Sequence, residues 1–216
     1  MFHFKVFHFV CLCLLTFLVA CHTSRKIQPT ELLAFFKNIP TPDTLRIEVD
    51  DEDIEVKDTI PNRVFFSNIP TALLQPIDHL ADSSSSVVIS RQKFTLDGNM
   101  AAYWVEIRMA WYHHHSLFLY DKSKQRFTDR ITVAEFFGGD GSQILTGSWL
   151  FDFNGDGKKD IVRRDIQHSM VPKDDEPLEL IYESASLLLW KNGRFEDAPF
   201  QDTAAMVRRF PIRSFW

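Results

Sequence analysis

The chain has 216 residues, with 29 acidic and 24 basic side chains and a formal net charge of −5. This mild acidity argues against nucleic acid or anionic lipid headgroups as a main partner. The length suits one domain with a sizeable core, and 20 Phe and 5 Trp residues, many in strand-like runs, point to a β-rich protein with aromatic packing layers.

Met1 to Ala20 reads as a targeting segment, set apart from the fold. Lys5 is its only charge, and the apolar run Val6–Ala20 is too short for a comfortable membrane span. Leu18-Val19-Ala20-Cys21 resembles the lipobox of bacterial lipoproteins. That resemblance implies that Cys21 is diacylated, becomes the N-terminus and is then acylated again. His22 rather than Asp follows the Cys, which in that family implies the outer membrane of a Gram-negative cell. An ordinary cleaved signal peptide or a short N-terminal anchor is the alternative. Cys11 and Cys13 lie inside the segment, so a lipidated Cys21 leaves the mature chain with no disulfide. Losing Lys5 takes the net charge from −5 to −6.

His22–Pro29 reads as a tether, and residues 30–216 as a single domain. Thr30–Lys37 has the look of a short helix with Thr30 as N-cap, ended by Pro40 and Pro42. Leu45–Val49 alternates like a half-buried strand, turns at the acidic run Asp50–Asp53 and returns through Ile54–Lys57. That acidic run lacks the glycine and spacing of a cation site and reads as a solvated turn. Val64-Phe65-Phe66 suggests a strand, and Thr71–Leu80 a helix interrupted at Pro76. Ser83–Ser86 is a polar loop, too short to mark a domain boundary.

From Val87 the β signal strengthens. Lys93–Leu96, a turn at Asp97-Gly98-Asn99 and Ala102–Arg108 read as a hairpin. His113-His114-His115 follows; in a strand, His113 and His115 share one face and His114 takes the other. No Cys, Asp or Glu at ligand spacing accompanies them, which favours a structural or surface role over a transition metal. Ser116–Tyr120, a polar turn and Arg126–Asp129 form a second hairpin pattern, repeated by Ser186–Trp190, Lys191-Asn192-Gly193 and Arg194–Asp197. Gly138-Gly139-Asp140-Gly141 reads as a flexible turn without a phosphate-loop sequel. The basic, aromatic tail Arg208–Trp216 suits packing on the core or an edge strand, with a recognition tail as the alternative.

The strongest chemical signal lies between two strand-like runs, Ser148–Phe151 and Ile161–Arg164. Asp152, Asn154, Asp156 and Asp160 stand at the first, third, fifth and ninth positions of one loop. Hard oxygen ligands on alternate residues of a tight turn suit Ca²⁺, with Lys158 supplying a main-chain carbonyl and Gly157 allowing the turn. The twelfth position is Arg163, not Glu, so the loop is no EF-hand. The alternative is an Asp/Asn/Gly-rich hairpin turn without metal.

Asp152–Asp160 with Ile161-Val162, and later Ser186–Phe195, resembles one FG-GAP/VCBS-type repeat, a blade of integrin-α-like β-propellers. The resemblance implies Ca²⁺ ligands at Asp152, Asn154, Asp156, Lys158 (main chain) and Asp160. It covers Ser148–Ala198, and the chain is too short for a full wheel. The expected fold is therefore mainly β, one compact domain of antiparallel hairpins and propeller-like sheets, with one or two short helices and no closed propeller.

Three function classes follow. The first is a lipid-anchored cell-envelope protein with a structural Ca²⁺ loop and a non-catalytic binding or assembly role toward an envelope protein or glycan. The second is an inhibitor or accessory subunit of an envelope enzyme or carbohydrate system, favoured if Trp104, Trp111 and Tyr112 form an exposed patch. The third is a Ca²⁺-dependent hydrolase. It lacks any G-x-S-x-G, H-E-x-x-H or Cys nucleophile, though Glu106, Glu135, Asp165 and His168 are candidates for meeting in space. The first class is the one the residues favour.

Overall fold

Segments that alternate apolar and polar side chains, or run apolar throughout, become ten strands among the described residues. They are β1 (Leu45–Ile47), β2 (Thr59–Ile60), β3 (Val87–Thr95), β4 (Met100–Met109), β5 (Tyr112–Asp121), β6 (Arg126–Gly139), β7 (Ser142–Phe151), β8 (Asp160–Val171), β9 (Leu178–Lys191) and β10 (Arg194–Asp197). Among the described residues four short helices accompany them: α1 (Thr30–Leu33), α2 (Asn62–Asn68), α3 (Thr71–Leu74) and α4 (Thr203–Arg209). This is a computed structural model, and it describes residues 30–40, 42–49, 57–77, 80, 85–139, 141–173, 176–199 and 202–213. The targeting segment, Cys21, the tether, Asp50–Val56, Ser83, Ser84, Asp140 and Ser214–Trp216 lie outside the described residues.

Strands β2 to β10 pair with their chain neighbours in one open antiparallel sheet. The fold is thus mainly β and not a closed wheel, with more helices than the one or two expected. Both repeated hairpin patterns form: Tyr120 pairs with Phe127 and Trp190 with Phe195.

The sheet forks. β6 and β7 pair only through Glu135–Gly139 on Ser142–Thr146. Beyond Thr146, β7 leaves β6 and takes β1 instead, with Leu45 opposite Leu150 and Ile47 opposite Ser148. The return run expected at Ile54–Lys57 lies, but for Lys57, outside the described residues, and the pairing that β1 does show is long-range. Burial explains it, because Ile47 is fully enclosed between the two branches. That inner layer joins Phe94, Ala102, Leu117 and Leu119 of one branch to Leu150, Ile161, Trp190 and Phe195 of the other. Trp190 fixes the spacing: its ring packs edge-on to Phe195 at 4.8 Å, and its Nε1–H donates to the Asp97 carboxylate at 3.1 Å.

Each branch also has an outer cover. Helices α1 to α3 pack Leu32, Val64, Phe65 and Leu74 against Val105, Ile107 and Phe118. The Val64–Phe66 run is helical rather than a strand. Pro61 stands at the N-cap, and placing Val64, Phe65 and Ile69 on one face outweighs their β preference. The helix expected to reach Leu80 stops at Leu74, two residues before Pro76, which has no N–H to continue it. On the other branch, the tail forms α4, N-capped by Asp202 accepting from Ala205 N–H, and buries Met206 and Phe210 on Trp149, Val162 and Leu187. Phe210 lies 5.5 Å from Trp149, ring to ring.

Candidate functional site

The β7–β8 turn is the Asp152–Asp160 loop, and its conformation follows from its composition. Gly155 and Gly157 take φ of +80° and +81°, a region open to glycine at little cost. Asp152 accepts from Gly155 N–H (2.7 Å) and Asp156 N–H (3.1 Å) on one oxygen and from Gly157 N–H (2.8 Å) on the other. Asn154 accepts from Asp156 N–H, and Asp156 from Lys158 N–H, both at 2.9 Å. Asp160 is fully buried at the loop's exit, where its oxygens take Trp190 N–H at 2.8 Å and Phe153 N–H at 3.2 Å. Burial, then the charges of Asp156 and Asp152, push its carboxyl above the usual range against those hydrogen bonds.

The loop therefore draws Asp152, Asn154 and Asp156 together and turns Asp160 into the sheet. Among the described residues, no three His, Cys, Asp or Glu side chains gather as a metal-holding group. The donor chemistry fits Ca²⁺, being hard oxygen throughout with two carboxylates repelling a third. The backbone donors leave lone pairs free on Asp152, Asn154 and Asp156 for such an ion.

The register of β5 confirms the alternation expected for the histidines and adds partners that linear spacing conceals. His114 lies opposite Glu135 of β6. Tyr112 Oη donates to Glu135 at 2.9 Å and lies 2.9 Å from His114 Nδ1, while His114 Nε2 lies 2.6 Å from Ser116 Oγ. Arg130 donates to Ser116 Oγ and Thr132 Oγ1. Burial pushes the Glu135 carboxyl up, but His114, Tyr112 and Arg163 outweigh it and hold the group below its ordinary value. The Ser–His–Glu order resembles that of a hydrolase, yet Ser116 has 0% exposure and no substrate reaches it. Its chemistry is that of a satisfied internal network.

The opposite face carries a second network. Trp104, Glu106 and Arg108 alternate on β4 with buried Val105 and Ile107, a pattern visible in the sequence. Glu106 is buried and takes both Arg108 and the bulged Arg91 of β3. Trp104 Nε1–H donates to His115 Nδ1 at 3.0 Å. Burial first, then Arg91, His114, His113 and Arg108, drive the His115 pKa well down, so the ring is neutral. Arg91, Trp104 and His115, with Arg46 of β1 and Glu48 just after it, line a cleft of about 230 Å³.

The four residues considered for catalysis do not meet. Glu106 and Glu135 belong to the two separate networks, Asp165 accepts from Thr146 Oγ1 at 2.7 Å, and His168 pairs with Glu179 at 2.8 Å. Nor does the aromatic patch form as expected: Trp111 is 77% exposed, whereas Tyr112 is buried. A larger cleft of about 580 Å³ lies between three turns at the loop end of the sheet, lined by Asp97, Asn99, Asp121, Lys124, Asp129 and Arg194. Ser123 and Lys124 hold the Asp121 carboxyl well below its usual range.

The other end carries an apolar arm that the sequence reading missed. Met170, Val171, Leu178, Leu180, Ile181 and Tyr182 of the β8–β9 hairpin are all exposed, Tyr182 at 68%. Leu178, Leu180 and Tyr182 alternate on one face, a period-2 signal that was available in the sequence. β10 covers only Leu188–Lys191 of β9, so from Leu178 to Ser184 no strand lies beyond it among the described residues. No described helix is long and apolar enough to cross a membrane. Compared with protein-family models, curated proteins and solved structures, the chain matches none.

Proposed function

We propose that this chain is a lipid-anchored protein of the cell envelope, held on the outer membrane through Cys21, with a non-catalytic binding or assembly role. The anchor reading rests on the Leu18–Cys21 pattern. The binding role rests on one observation, the exposed apolar arm at the tip of β8–β9. An unpaired edge strand carrying large apolar side chains is a template for a partner's strand, and contiguous exposed apolar surface marks interaction sites.

The Asp152–Asp160 loop has a different task in this reading. β8 spans 12 residues, which at about 3.3 Å each sets the loop roughly 36 Å from the arm. Ca²⁺ held by Asp152, Asn154, Asp156, the Lys158 carbonyl and Asp160 would stiffen the root of the hairpin and leave contact to its tip. The partner is an envelope protein that adds a strand to β9.

The test is the double variant Leu180→Asp with Tyr182→Asp, expressed in cells and extracted from membranes in mild detergent. Native gels of wild type should show a species well above the monomer mass, and the variant should run as a folded monomer with unchanged melting temperature. A wild type that runs as a monomer, or a variant that stays in the larger species, would overturn the binding role.

A further inference from the structure

The cleft beside β4 is built around a donor on a buried side chain that has no hydrogen-bond partner among the described residues. An indole N–H can only donate, so the Trp104 bond fixes His115 Nδ1 as acceptor and puts the ring proton on Nε2. His115 is 3% exposed and lines the cleft, and Nε2 has no hydrogen-bond partner among the described residues. Nε2 is not among the fully buried atoms left without a partner, so it opens into the cleft, where an entering acceptor can meet it.

Charge points to the kind of acceptor. Glu106 is shared by two guanidiniums, those of Arg91 and Arg108, so this trio keeps one positive charge. Arg46 is matched by Glu48 at 2.7 Å and adds no net charge. The same cations disfavour a proton on His115, as expected of a ring lying beside them. A cleft of about 230 Å³ has room for roughly seven water volumes, enough for a small molecule but not a polymer segment.

We propose that this cleft binds a small monocarboxylate, one oxygen accepting from His115 Nε2–H and the other facing the Arg91 guanidinium. Such an anion balances the excess charge and satisfies the orphan donor together. A planar carboxylate suits the guanidinium fork. This site is independent of both the arm and the Ca²⁺ loop.

The experiment uses the full mature chain, ¹⁵N-labelled, titrated with acetate, lactate or phosphate at constant ionic strength set with chloride. The Trp104 indole N–H signal, assigned by Trp104→Phe, reports on the hydrogen bond to His115. Lactate and acetate should shift it saturably in the millimolar range, and Arg91→Gln, which cancels the excess charge, should weaken binding at least tenfold. If Arg91→Gln does not fold, Arg46→Gln at the half-exposed rim should still weaken it several-fold. No saturable shift with either carboxylate, an equal response to phosphate, or undiminished binding in the folded variant would overturn the proposal.

Discussion

Arg164 offers a sharp test of how the second branch is held together. Its side chain is 1% exposed and spans from β8 to α4. Nε donates to Ser184 O at 3.0 Å, and Nη1 donates to Val207 O and Phe210 O, each at 2.6 Å. The last two are end-of-helix carbonyls of the kind that lack intrahelical donors. Nη2 meets Glu183 at 2.5 Å, but Glu183 is 42% exposed, so that ion pair contributes no more than about 1 kcal/mol. The three carbonyl bonds come from a charged donor and leave buried acceptors if removed, which sums to roughly 3–5 kcal/mol after allowing for relaxation. Arg164→Met keeps the aliphatic volume and isolates that polar part. Urea unfolding followed by tryptophan emission should show a loss of about 3–5 kcal/mol for Arg164→Met and under about 1 kcal/mol for Glu183→Gln. Hydrogen exchange at the Met206 and Phe210 amides should quicken ahead of the sheet, because α4 detaches first. A loss below about 1 kcal/mol in Arg164→Met, or an equal loss in Glu183→Gln, would refute the capping argument.

Three more outcomes are expected. A thermal melt in EDTA and then in 10 mM Ca²⁺ should gain about 1.4 kcal/mol if Kd is near 1 mM, with no gain from Mg²⁺ and none in Asp156→Ala; equal melts of variant and wild type would remove Ca²⁺ from the account. A Cβ at Gly147 would sit 2.7 Å from Ile212 Cγ2, so Gly147→Ala should cost about 1–3 kcal/mol by denaturant titration, and Ile212→Ala in the same chain should recover part of it. His115 is neutral in the fold and takes up a proton when unfolded below about pH 6.5, so the unfolded state binds more protons there. Its contribution to stability is complete above that value and falls as the pH drops. His115→Gln should remove that part of the slope in acid denaturation.

The hairpins were legible because both strands and their turn sit within a short stretch, as in Lys93–Leu96 with Ala102–Arg108. The period-2 pattern also fixed which face each histidine takes. Pairing between distant segments was not legible. Nothing local in Leu45-Arg46-Ile47 says that it belongs beside Leu150. The partners of His114 and His115 were hidden for the same reason, since Glu135 and Trp104 reach them across strands. Val64–Phe66 misled because β-branched and aromatic residues also suit a short helix laid on a sheet, where tertiary burial outweighs propensity. In the loop, the spacing did not say that Asp160 would turn into the sheet toward Trp190, or that Asp152, Asn154 and Asp156 would each accept from backbone N–H groups.

The fork also sets an order of events in folding. β2 to β6 are local pairings and can assemble as soon as they are available, and β7 to β10 likewise. β1 precedes them all in the chain, yet among the described residues its strand partner is β7, free to receive it only past Thr146 where it has parted from β6. The earliest strand is thus the last to dock, a wedge that closes the inner layer over Ile47 after both branches have formed. Until it does, Ser148–Leu150 is an open edge, and the nascent protein is most exposed to misassembly there.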